Sequence, residues 1–75
     1  MARPVAIFFF DFGADAALAS LYCFDRGYDY MEDVVAGHAA IILYGPAPSA
    51  IQELQLFSYQ HGLIFTLYVA LAQGG

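Results

Sequence analysis

Carboxylates are the densest chemical feature of this chain, and they cluster in the segment "DRGYDYMED" at residues 25–33. Its four acids, Asp25, Asp29, Glu32 and Asp33, offer the hard oxygen ligands that calcium and magnesium prefer. Their spacing matches no EF-hand loop, and two tyrosines and a methionine interrupt them, so we predict no metal site. Two hypotheses remain: an acidic docking surface for a protein partner, and a solvated connector between a helix and a strand.

The other candidate bases and nucleophiles are isolated from one another along the sequence. His38 begins a predicted strand and His61 ends a predicted helix, where a cation complements the helix dipole. Cys23 lies among apolar residues in a predicted helix, which is typical of a buried, unreactive thiol. We therefore predict no catalytic residue and no cofactor, and an enzyme ranks behind the binding hypotheses.

A strand-to-helix turn, "DFGAD" at residues 11–15, is the candidate ligand site. Backbone N–H groups at a helix start bind anions, but Asp11 and Asp15 would repel a phosphate. An amino or amide group suits these acids better. The predicted ligand-binding residues at this turn are Asp11 and Gly13.

The composition indicates a partner for the apolar surface. Hydrophobic residues make up 61% of the 75 residues and charged residues 12%, whereas typical domains have about 45–50% and about 25%. A single small domain cannot cover so much apolar surface, so we expect a homo-oligomer, a dimer or larger. The chain has no lysine, two arginines and a net charge of −5, which excludes nucleic acid as a partner.

A cytoplasmic location is the expectation from the cysteine content and the hydropathy pattern. One cysteine allows no internal disulfide, which is consistent with a reducing compartment. The cleanly apolar run Leu63–Ala72 is about half the length that a membrane-spanning helix needs. Asp11 interrupts the N-terminal apolar run too early for a signal peptide, so membrane insertion is disfavoured.

Hydrophobic periodicity and turn residues predict the element order β-α-β-β-α-β. The predicted bounds are Val5–Phe12, Ala14–Arg26, Tyr28–Ala36, His38–Gly45, Ser49 to about Gln60, and Leu63–Leu71. Gly27 is expected to end the first helix, and Ser49 with Gln52 forms a capping-box pattern at the second. We interpret residues 28–44 as a hairpin around Ala36–Gly37, with one long strand or a bulge as the alternative.

This order predicts a ferredoxin-like α+β fold for a single domain of residues 1–75. Two right-handed α-crossovers place both helices on one face of a four-stranded antiparallel sheet and leave the other face open. Strand alternation, with Ile7 and Phe9 towards the helices, then predicts which side chains lie on the open face. They are Phe8, Phe10, Tyr44 and Tyr68, with His38 and Thr66.

Helical spacing predicts which sides of the two helices face the core. The first helix would bury Ala14, Ala17, Leu18, Leu21 and Phe24 and expose Ala16, Ala19 and Cys23. The second would bury Ala50, Ile51, Leu54, Phe57 and Ser58 and expose Leu56 and Tyr59. The predicted interface residues are therefore Phe8, Phe10, Tyr44 and Tyr68 on the sheet, with Leu56 and Tyr59 on the second helix.

Two segments resemble known families. "VAIFFFDFGADAALASLYCFDRGYDY" resembles the first half of an ACT domain, in which a turn glycine and an asparagine after the first helix line an amino-acid effector site between paired subunits. The resemblance implies that Gly13 and Asp29 occupy those positions, although the turn proline is missing and aspartate replaces the asparagine. "GHAAIILYGPAPSAIQEL" is similar to microcompartment shell domains and P-II-like regulators, which are ferredoxin-like oligomers.

The sequence therefore predicts a self-associating regulatory or assembly module, with an effector site at the turn around Gly13. The alternative is a small acidic protein, such as a phage-type inhibitor, that docks onto a basic site of another protein through the acids of residues 25–33.

Overall fold

Two helices pack on one face of a four-stranded antiparallel sheet in the computed structural model, which describes residues 3–45 and 48–70. The elements are β1 (Pro4–Phe10), α1 (Gly13–Arg26), β2 (Tyr30–Val35), β3 (His38–Tyr44), α2 (Pro48–Gln60) and β4 (Phe65–Val69). The strand order is β2-β3-β1-β4, so each helix crosses over one intervening strand. The predicted ferredoxin-like α+β fold is confirmed.

Local turn chemistry sets the two ends of β2. Gly27 is left-handed, with φ of 73°, and the N–H groups of Gly27 and Tyr28 donate to the carbonyls of Phe24 and Cys23, which forms a Schellman end to α1. At the other end, Ala36 and Gly37 have φ of 53° and 82°. Two consecutive positive φ angles make the tight turn of a two-residue hairpin, as the sequence predicted.

The predicted bounds differ from the structure at several ends. β1 ends at Phe10, two residues early, because Phe12 already accepts the first hydrogen bonds of α1. α2 begins at Pro48, so Ser49 lies in its first turn. The predicted end of the last strand at Leu71 lies outside the described residues.

The predicted faces of β1 are wrong by one residue. Phe8 and Phe10 are 0% and 1% exposed and belong to the core, so they cannot lie on the open face. Ile7 and Phe9 lie there instead, opposite Tyr68 and Thr66 of β4. All the residues from Val5 to Phe10 are apolar, so alternation within β1 has no polar side that marks the solvent face.

The predicted core face of α1 is also wrong. The buried side chains are Ala16, Ala19, Ser20 and Cys23, whereas Ala14, Ala17, Leu18, Leu21 and Phe24 are exposed. The core cluster that contains these α1 residues also holds the large rings of Phe8 and Phe10, which stack with centroids 6.2 Å apart. Small side chains on α1 leave room for these rings, and the larger residues are left on the outside.

The predicted core face of α2 is confirmed. Ala50, Leu54 and Ser58 are buried, and Ile51 and Phe57 are half-buried against the core. The buried Ser58 hydroxyl donates to the Leu54 carbonyl at 2.8 Å, which satisfies its polar atom. Within the described residues, neither α1 nor α2 has the length and hydropathy needed to cross a bilayer.

Alanine substitution of two neighbouring phenylalanines tests the corrected strand faces. Phe8→Ala should lower the free energy of unfolding by about 3–5 kcal/mol, because it leaves a cavity in the core. Phe9→Ala should cost less than half as much, because the Phe9 ring lies on the open face. Urea unfolding followed by circular dichroism measures both, and equal losses would contradict the assignment.

Candidate functional site

The turn after β1 holds two of the predicted ligand residues, Asp11 and Gly13, both exposed. Phe12 is the N-cap of α1 and makes no side-chain cap bond, while its carbonyl accepts the N–H groups of Asp15 and Ala16. The Asp11 N–H donates to the Ile64 carbonyl at 3.1 Å, and the Asp15 carboxylate accepts the Ile64 N–H at 3.3 Å. These bonds join the turn to the start of β4.

The third predicted ligand residue, Asp29, lies at the opposite end of the sheet. Its carbonyl accepts the Tyr44 N–H at 2.9 Å, and Tyr44 is opposite Pro4 at the start of β1. Asp11 follows the far end of β1, roughly 20 Å away at about 3.3 Å per residue. One copy of the chain therefore does not bring Gly13 and Asp29 into one site.

The four acids of residues 25–33 are exposed but do not form one surface. Asp25 lies in the last turn of α1, and Asp29 precedes β2. Glu32 is opposite Ile41 on the helix side of the sheet, whereas Asp33 is opposite Ala40 on the open side. In the described part of the chain, no group of three or more His, Cys, Asp or Glu side chains is placed to hold a metal ion.

Glu32 and Asp33 instead charge both sides of an edge strand. β2 ends the sheet, so its outer backbone groups are a template for another strand. Charges on an edge strand oppose such pairing. The two carboxylates thus have a structural explanation that requires no docking partner.

A polar cluster between the helices was not anticipated from the sequence. The Tyr28 hydroxyl donates to Glu53, and the Arg26 guanidinium lies 3.8 Å from the same carboxylate. Partial burial, followed by the hydrogen bond to Glu53, raises the pKa of Tyr28. The sequence signal was that Glu53 is the only charged residue after Asp33. The cluster joins the end of α1 to α2, and because the ion pair is exposed its contribution is small.

An aromatic stack reinforces the same contact between the helices. The rings of Tyr22 and Phe57 stack with centroids 4.2 Å apart. The His61 ring also stacks on the Phe57 ring, with centroids 4.1 Å apart. The His61 Nδ1–H donates to the Phe57 carbonyl at 2.9 Å. His61 therefore has a structural role at the end of α2.

The two histidines and the thiol lie apart from one another. His38 lies on the open face with its ring edge-on to Phe9, and its Nδ1–H donates to the Ala36 carbonyl at 3.3 Å. Cys23 is buried on the opposite side of the sheet, and burial raises the pKa of its thiol to about 12. A neutral, enclosed thiol is not a nucleophile at neutral pH.

The main feature of the exterior is exposed apolar surface. Tyr68 is 58% exposed on the open face, beside half-buried Ile7 and Phe9, and Leu56 and Tyr59 are exposed on α2 as predicted. Tyr44 is half-buried. Leu21 and Phe24 of α1, at 66% and 77% exposed, were expected in the core.

Comparisons with family models, with curated proteins and with solved structures found no match for this chain.

Thiol reactivity tests the environment of Cys23. At pH 8 the thiolate fraction should be about a thousandfold below that of an unfolded chain, because the pKa rises from 9.0 to about 12. A chromogenic disulfide reagent should therefore react slowly with the native protein and rapidly in denaturant. Equal rates in the two states would contradict the burial of Cys23.

The same pKa has a consequence for stability at alkaline pH. The folded state binds the Cys23 thiol proton more tightly than the unfolded state does. The resulting contribution to the free energy of unfolding is complete below pH 9.0 and is lost as the pH rises towards 12.

Proposed function

We propose that this protein is a self-associating regulatory or assembly module. The observation that supports the proposal is the set of large apolar side chains that remain exposed after the core is filled. The most exposed of them are Phe24, Val34, Leu21 and Tyr59, and they are distributed over both helices and β2.

The energetics favour covering these side chains with protein. Full burial of a leucine or phenylalanine side chain contributes about 1.5–3 kcal/mol, so a few such residues can offset the entropy that association costs. A second copy is the simplest cover, because an aromatic, charge-poor surface is typical of interface centres. A partner with a basic surface, such as a nucleic-acid-binding protein, would not meet both acids on one face, since Glu32 and Asp33 point to opposite sides of β2.

An effector site at the turn around Gly13 belongs to this proposal only if another copy supplies Asp29. The ACT-like resemblance implies such a site between subunits, and the separation of the two residues within one chain agrees with that requirement. Asp11 and Asp15 would select a cationic or amide-bearing ligand, although the Asp15 carboxylate already accepts the Ile64 N–H.

Sedimentation over a range of protein concentrations tests the proposal. The chain should form dimers or larger species at micromolar concentration. Added salt should leave this association intact or strengthen it, because it screens repulsion between copies that each carry a charge of −5. A protein that stays monomeric at every concentration and salt level would overturn self-association.

A further inference from the structure

The two edges of the sheet differ in charge. β2 forms one edge and carries Glu32 and Asp33, with Asp29 just before it. β4 forms the other edge, and no residue from Leu54 onwards is charged. Within residues 3–45 and 48–70, no strand lies beyond β4. An uncharged edge strand without proline is open to pairing with another strand.

The hydrogen bonds to β1 determine which backbone groups of β4 point outwards. The Asp11 N–H donates to the Ile64 carbonyl, and the Ala70 N–H donates to the Val5 carbonyl. Because backbone groups alternate sides along a strand, the residues between them with the same parity, Thr66 and Tyr68, also face β1. The N–H and C=O groups of Phe65, Leu67 and Val69 therefore point to the free edge.

We propose that β4 pairs antiparallel with β4 of a second copy of this chain, across a two-fold axis at Leu67. This inference rests on the self-association proposed above and identifies its surface. Leu67 opposes Leu67 of the second copy, and Phe65 opposes Val69 in both directions. Each of these three outward-facing pairs exchanges two hydrogen bonds, which gives about six backbone hydrogen bonds.

The side chains around β4 suit this pairing on both faces of the sheet. On the helix side, Phe65 opposes Val69, and Tyr59 covers Phe65 with ring centroids 5.4 Å apart. On the open side, Thr66 opposes Tyr68 of the second copy. Aromatic and β-branched residues make favourable cross-strand pairs, and no like charges face each other along β4.

Charge also explains why a second copy fits this edge better than the β2 edge. Pairing of β2 with β2 would bring Glu32 and Asp33 of two acidic copies together. In a dimer paired through β4, each β2 lies three strands from the β4 strand of its own copy, about 14 Å at about 4.8 Å per strand. Asp11 and Asp15 of the two copies lie at opposite ends of the paired strands, since both adjoin the start of β4.

The same asymmetry limits this contact to two copies. The two-fold contact uses the β4 edge of both chains, so the resulting eight-stranded sheet ends in β2 on each side. These outer edges are charged, which opposes further edge pairing. Asp29 lies at the outer edges of this dimer, so the dimer does not complete an effector site with Gly13.

Amide hydrogen exchange measured residue by residue by NMR tests the pairing without any substitution. The amides of Phe65, Leu67 and Val69 should exchange fast in dilute protein and become at least tenfold slower at concentrations where the dimer forms. Those of Thr66 and Tyr68 already bond to β1 and should change less. A dimer in which the three outward amides stay fast would overturn edge pairing.

Val69→Pro and Val69→Ala form the matched pair of variants. Proline removes an outward N–H that β1 does not use, whereas alanine removes the same apolar side chain and keeps the N–H. In sedimentation equilibrium, the dimer dissociation constant of Val69→Pro should be at least tenfold higher than that of Val69→Ala. The circular dichroism spectrum of both variants should be unchanged.

The outcomes separate the two proposals. Dimers that persist equally in both variants would refute pairing through β4 and leave self-association standing through another surface, such as the exposed residues of α1. A wild-type chain that is monomeric at all concentrations would refute both. A monomer whose outward amides become protected only when an unrelated strand-forming peptide is added would show that β4 accepts a different occupant.

Discussion

Packing of two phenylalanine rings between the sheet and the helices is the constraint on which the rest of the structure depends. Phe8 and Phe10 share one core cluster with side chains of both helices, and both contact the Phe65 ring of β4 at centroid distances of 5.3 and 6.0 Å. The side chains that α1 contributes to this cluster are small, namely Ala16, Ala19 and Cys23. Leu21 and Phe24 lie on the side of α1 that faces away from this cluster, and both are exposed.

The few charged residues are unevenly distributed over the exterior. A chain with seven acids and two arginines has few charges with which to keep its exterior soluble. Three of the acids, Asp29, Glu32 and Asp33, lie in β2 or directly before it and charge one edge of the sheet. The strand at the opposite edge, β4, carries no charged residue. Such an uneven distribution of charge is a feature that can orient an approaching partner.

The side chains that could act as bases, acids or nucleophiles make structural contacts. Both histidines donate from Nδ1 to backbone carbonyls, and the thiol is enclosed in the core. Arg26 and Tyr28 converge on Glu53 and join the two helices. The candidate ligand residues at the two ends of the sheet are separated by the length of β1.

The sequence by itself determined the element order, the fold class, the hairpin at Ala36–Gly37 and the buried face of α2, because turn residues and periodicity encode these locally. The faces predicted for β1 and α1 were wrong, because β1 is apolar on both sides and α1 offers one apolar set of small residues and another of large ones. Only the tertiary structure decided between them, since the choice depends on whether large strand rings meet small helix residues, which is a matter of volume between elements distant in the sequence.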